Sequence, residues 1–152
     1  MGCDIHTSTH QQDADGAWQN VDIAFPDEYE IIEGGILHQP FYWRNNATFA
    51  FLANVKNYKN YMPVLSLPRG FPEDMGGDDI EIDDVCHNPS WYLLSELLDA
   101  DYSQNVTYGA FTNTLKEYLP DDYFRDLEIM KTYCDANGLL YTQLRIVFYF
   151  DN

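Results

Sequence analysis

The run Leu139-Leu-Tyr-Thr-Gln-Leu-Arg-Ile-Val-Phe-Tyr-Phe150 is rich in β-branched and aromatic residues and reads as a strand. Leu140, Leu144, Ile146, Phe148 and Phe150 alternate onto one face; Tyr141, Gln143, Arg145, Val147, Tyr149 and Asp151 fall on the other. A strand this apolar belongs inside a sheet. The opening run Met1-Gly-Cys-Asp-Ile-His-Thr-Ser-Thr-His10 alternates in the same way. Cys3, Ile5, Thr7 and Thr9 point one way, and Asp4, His6, Ser8 and His10 the other. With the two strands as neighbours, Asp4, His6 and His10 share a face with Gln143, Arg145 and Asp151.

Between these strands the chain alternates turn signals and helical patterns. Asp15-Gly16 marks a hairpin that returns Ala17 to Ile23 beside the first strand. Asp13, Asp15, Gly16 and Asp22 also approximate a calcium loop, but Gln11 holds its first ligand position and no helices flank it, so the turn is the simpler reading. Pro26 to Pro40, with Gly34-Gly35, reads as an acidic surface excursion. Asn46 is positioned to cap a helix reaching about Asn57, with Phe49, Leu52, Ala53 and Lys56 at helical spacing. Residues 58–89 have the composition of a long acidic loop, in which the prolines of Leu67-Pro-Arg-Gly-Phe-Pro72 hold Arg69 in place.

Asn88-Pro89 suggests the start of a helix over about Trp91 to Ala100, with His87 near its positive end, where an imidazole stays neutral. Phe111, Leu115, Tyr118 and Leu119 mark a further helix ending at Pro120. Tyr123, Leu127, Met130 and Cys134 mark the last, from Asp121 to Asn137-Gly138. The expected fold is α+β: an antiparallel sheet with first and last strands central or adjacent, and three to four helices on one face. The 152 residues make one domain, 1–152.

Composition bounds the function. Twenty-five acidic residues face eight basic ones, for a net charge of −17. Direct nucleic-acid binding through phosphates needs a basic face and is not expected. The charge serves solubility, or it imitates nucleic acid before a basic protein. With 45% hydrophobic residues the chain folds. Neither an apolar run of membrane length nor a signal peptide is seen, so no membrane association is expected. Cys3, Cys86 and Cys134 form no close pair, which suits a reducing cytoplasm.

Met-Gly-Cys-Asp-Ile-His, Arg44-Asn45 before Phe49-Ala-Phe-Leu-Ala-Asn-Val55, Leu67-Pro-Arg-Gly70, His87 to Trp91 before Ser95-Glu-Leu-Leu98, and Val147-Phe-Tyr-Phe-Asp-Asn152 span the chain. In these stretches it resembles a group of phage and prophage proteins opening with the same hexapeptide. The resemblance implies a phage or prophage origin and a cytoplasmic role in an infected or lysogenic bacterium, and supplies no activity. Where that group has Gly-His-Ser, this chain has Cys86-His87-Asn88, which leaves the role of the hydroxyl open.

The candidate catalytic residues are Asp4, His6 and His87; Arg44, Arg69, Arg145 and Asp151 are the candidates for ligand binding. Carboxylates, imidazoles and guanidinium groups together suit metal-assisted or general acid–base hydrolysis, and the gripping of an anionic, nucleotide-like small molecule. Asp4 and His6, two apart on a strand, have workable metal-ligand spacing, with a divalent ion as the implied cofactor. Cys3 as a nucleophile based by His6 is opposed by alternation, which puts the two on opposite faces. The alternative function is an acidic inhibitor of a host nucleic-acid-binding protein, in defence or elsewhere. A purely structural reading makes these polar residues a buried hydrogen-bond network.

Overall fold

The structure, a computed structural model, describes residues 2–26, 39–42, 44–78, 80 and 83–151. The excursion expected over Pro26 to Pro40 falls almost wholly on residues 27–38, outside the described residues. The chain runs through β1 (Asp4–Gln12), β2 (Trp18–Val21), α1 (Asn46–Ala53), β3 (Cys86–Leu93), α2 (Leu94–Asp99), β4 (Asn105–Tyr108), β5 (Phe111–Thr114), α3 (Leu115–Tyr118), α4 (Asp121–Asn137) and β6 (Leu144–Asp151).

The main sheet has the order β2-β1-β6-β3, antiparallel throughout, so the first and last strands are neighbours at its centre. Its apolar face carries Cys3, Ile5, Leu144, Ile146, Phe148 and Phe150 from β1, its lead-in and β6, all buried. Phe49 of α1 meets Phe150 edge-on, Tyr92 of β3 stacks on Phe148, and Tyr133 of α4 donates to Gln11 Oε1. The helices therefore share one core with that face. The fold is α+β.

Local chemistry explains most element ends. Gly16 takes φ +86° in the β1–β2 turn, and the Asp13 carboxylate accepts the amides of Asp15 and Ala17. The aspartates of the calcium-like pattern thus begin a turn. The cap of α1 is Asn45, one residue before the expected Asn46, its side chain accepting from Thr48 N at 3.0 Å. The helix ends at Ala53, because Asn54 turns left-handed at φ 58°; Lys56 lies beyond it. α4 opens on Asp121 and Asp122, which suit its positive end, and stops at left-handed Gly138.

Three expectations are corrected. Ser90 to Leu93 pair with β6, so the helix expected from Trp91 begins only at Leu94. Pro89 sits in a bulge of β3 beside left-handed Asn88, where its missing donor disturbs no ladder bond. Phe111 belongs to the β4–β5 hairpin, which turns at Gly109, and only Leu115–Tyr118 is helical. The last strand starts at Leu144; Tyr141–Gln143 is a 3-10 turn, and Gln143 caps Leu140 N there instead of joining the sheet face.

One buried charge ties α4 to the segment at 39–42. Asp126 is 1% exposed, accepts from left-handed Phe41 N at 2.8 Å and pairs with Arg125 at 3.2 Å. Burial pushes its carboxyl above the usual range. Asp126→Ala orphans a buried amide and is expected to cost about 1–3 kcal/mol in urea unfolding, with Arg125→Ala costing less. An unchanged midpoint in Asp126→Ala would contradict the tether.

Candidate functional site

The second face of the main sheet carries Asp4, His6, Ser8 and His10 from β1 opposite Asp151, Tyr149, Val147 and Arg145 from β6. Trp91 and Leu93 of β3 extend two of these rows. Helices cover the apolar face; this one is crossed by the acidic segment at 66–78, which forms a strap.

The strap is fastened to every strand in turn. At the β3 edge, Gly70 N donates to Pro89 O and Arg69 N to Ser90 Oγ. Phe71 then meets the Tyr149 ring edge-on, with centroids 6.1 Å apart. Arg145 of β6 is 4% exposed, and a buried guanidinium requires partners. It donates to the Asp74 carbonyl and to His10 Nδ1, and lies 4.4 Å over the Trp18 ring. At β2, Trp18 N donates to the Asp74 carboxylate and Asn20 N to the Gly76 carbonyl. That approach is close enough for a Cβ at Gly76 to meet Asn20 N at 3.0 Å. Asp78 accepts from Asn20 Nδ2 and, at 2.7 Å, from His10 Nε2.

These bonds fix the state of His10, which is fully buried. A guanidinium only donates, so Nδ1 is the acceptor and Nε2 carries the proton. Burial holds the imidazole below its ordinary value of 6.5, against the raising effect of Asp78.

Beyond Tyr149 the face is open. His6 and Asp151 side chains are 42% and 32% exposed and bonded at 2.6 Å through His6 Nε2. A carboxylate only accepts, so the proton is on Nε2; among the described residues Nδ1 has no partner. His6 stacks on Tyr149 at 4.9 Å. Asp4, directly opposite Asp151, is held by Arg44 through Nε at 2.5 Å and Nη2 at 3.1 Å. Like charges opposite one another repel, and here each has its own cationic or donor partner. Arg44 holds the Asp4 carboxyl below the usual range. The guanidinium lies where a Cβ on Gly2 would stand, so the glycine admits it.

Asp4, His6, Arg44 and Asp151 are therefore brought together, and the other candidates are not. Arg69 forks onto Glu96 of α2 at 2.9 and 2.6 Å, reaches the Trp91 carbonyl and stacks on Trp91 and Tyr92. Arg145 lies under the strap. His87 is opposite Phe150, on the apolar face, with its ring stacked at 6.0 Å. It stands in a strand and not at the start of α2, because β3 runs on to Leu93 and α2 begins at Leu94. Cys3 is buried beside Ile5, and burial pushes its thiol up, against a nucleophilic role.

Among the described residues no three His, Cys, Asp or Glu side chains converge as a metal centre requires; Asp4 and His6 each face a different partner. Tyr149 and Phe71 also stand at this end, although neither is among the candidate residues expected from the sequence. Alternation places Tyr149 on the face of Asp151 and was the available signal; nothing local marks Phe71.

No helix among the described residues is long and apolar enough to cross a membrane. Arg69 anchors the strap, and its guanidinium holds the Glu96 carboxyl below its ordinary 4.5. The contribution of this pair is complete above 4.5 and is lost as the pH falls through the lower folded-state value. Glu96→Gln is expected to flatten the urea midpoint against pH in that window. Arg69→Lys, which loses the fork, should cost about 1 kcal/mol at neutral pH. An acid limb unchanged in Glu96→Gln would refute this assignment. Comparison of the chain with family models, with curated proteins and with solved structures finds no match.

Proposed function

We propose that the open end of the polar face binds an anionic, nucleotide-like small molecule and hydrolyses it by general acid–base chemistry. The observation that carries this reading is the His6–Asp151 bond at 2.6 Å on an accessible surface. Asp151 orients the ring and keeps its proton on Nε2, leaving Nδ1 to take a proton from an attacking water. The Arg44 side chain is 63% exposed and, among the described residues, tied only to Asp4, so it can turn to a phosphate without leaving a buried site. The Tyr149 ring beside His6, with the Phe71 ring edge-on to Tyr149, suits a planar base. A phage or prophage origin, with action in the cytoplasm of the bacterium, belongs to the same proposal and rests on the resemblance of the opening hexapeptide.

The test is a panel of nucleoside mono-, di- and triphosphates screened by calorimetry and product analysis. His6→Gln is expected to lower turnover about 10²–10⁴-fold while leaving the thermal midpoint close to wild type. Asp151→Asn should lower turnover with little change in binding. A fully active His6→Gln protein, or wild type that neither binds nor turns over any of the panel, would sink the reading.

A second reading has its own support. Arg44, Arg69 and Arg125 are paired with carboxylates, and Arg145 is buried, in a chain of net charge −17. That balance suits a surface that occupies the basic face of a host nucleic-acid-binding protein. Capture of such a protein should weaken steeply between about 50 and about 500 mM salt. Capture that ignores salt would count against it.

A further inference from the structure

We infer that the strap at 66–78 is a latch over the polar face, and that protonation of His10 releases it. This inference is independent of the function proposed above. It stands on the bonding of one buried ring: Nδ1 accepts from Arg145 Nε at 3.0 Å, and Nε2 donates to Asp78 at 2.7 Å. Among the described residues, the charged groups that face His10 are the Arg145 guanidinium of β6 and the Asp78 and Asp74 carboxylates of the strap. From β2 it is met by Asn20, bonded to the same Asp78, and Trp18 lies beneath Arg145; neither titrates.

A proton taken from solvent onto Nδ1 occupies the lone pair that Arg145 uses. An N–H is then set against an N–H, and a cation against a cation, with the strap carboxylates of Asp78 and Asp74 opposing. Opening the strap hydrates the imidazolium and frees the guanidinium to turn away. The closed form thus binds this proton less readily than the open form, in line with the lowering that burial imposes on His10. By linkage, falling pH favours the open strap, beginning near 6.5, the ordinary value of the ring. Asn20 N and Trp18 N of β2 report the event directly, since they donate to the Gly76 carbonyl and the Asp74 carboxylate of the strap.

Native-state amide exchange on the full chain, followed by NMR from about pH 7.5 to about pH 5.5, tests this. Protection factors at Asn20 and Trp18 are expected to fall by up to about tenfold per pH unit below the onset, while those of β6 stay level. In His10→Gln the side chain can accept from Arg145 and donate to Asp78 without titrating, so the fall should vanish. Should that variant fold poorly, Asp78→Asn serves instead. It keeps an acceptor for Nε2 but removes the carboxylate charge bonded to the ring, leaving only the Asp74 carboxylate to favour the imidazolium, so the fall should continue to lower pH than in wild type. Level protection across the range in wild type, or an equal fall in His10→Gln, overturns the inference. So does an Asp78→Asn profile that matches wild type.

Discussion

A guanidinium in the middle of a sheet face cannot be left without partners, and Arg145 meets that demand in the second strand from the edge. Desolvation of a full charge costs several kcal/mol unless donors are matched, and the sheet itself supplies only His10 of β1 and the Trp18 ring of β2. The remaining partner, the Asp74 carbonyl, comes from outside the sheet. This demand places the strap. Once Asp74 is over β6, Gly76 falls beside Asn20 and Asp78 above His10, and Val147 becomes 1% exposed although alternation puts it on the polar face. The structural reading of the N-terminal polar residues therefore applies to His10, and the accessible bonding of His6 keeps a functional reading open for the other end.

What could be read from the residues divides along the range of the interactions. β6 was legible because its side chains carry their own strand preference, and α4 because Asp121 and Gly138 mark both its ends locally. The β1–β2 turn was legible through Asp15-Gly16 for the same reason. The start of α2 was not, since Asn88-Pro89 has the chemistry of a helix start and only the distant partner β6 keeps that stretch extended. Phe111 likewise fits a helical stripe, and the turn at Gly109 that takes it into a hairpin is a single weak signal.

The site shows the same division. Alternation brought Asp4, His6, Arg145 and Asp151 to one face, because a two-residue period is a property of the strand itself. It could not say which of them would be covered. That was decided by bonds between residues far apart in the chain, such as Arg145 with His10 and Arg69 with Glu96. Arginine in a proline-rich loop reads equally well as a ligand grip or as an anchor, and only its partner distinguishes the two. The open end retains four charged or titratable groups in two adjoining pairs, which can be rearranged by a ligand because none of the four is buried.

The pairing of β1 with β6 also bears on the making of the molecule. His6 and Asp151 are 145 positions apart, and β1 lies between β6 and β2 in the finished sheet. At a ribosome, the β1–β2 hairpin emerges early and must wait for nearly all the intervening chain before its main neighbour exists. Until then the apolar side of β1, with Cys3 and Ile5, has no β6 to pair with and is a target for chaperones. Closure of so long a loop makes assembly of the sheet a late and slow event, after α4 has had time to form from its own local signals.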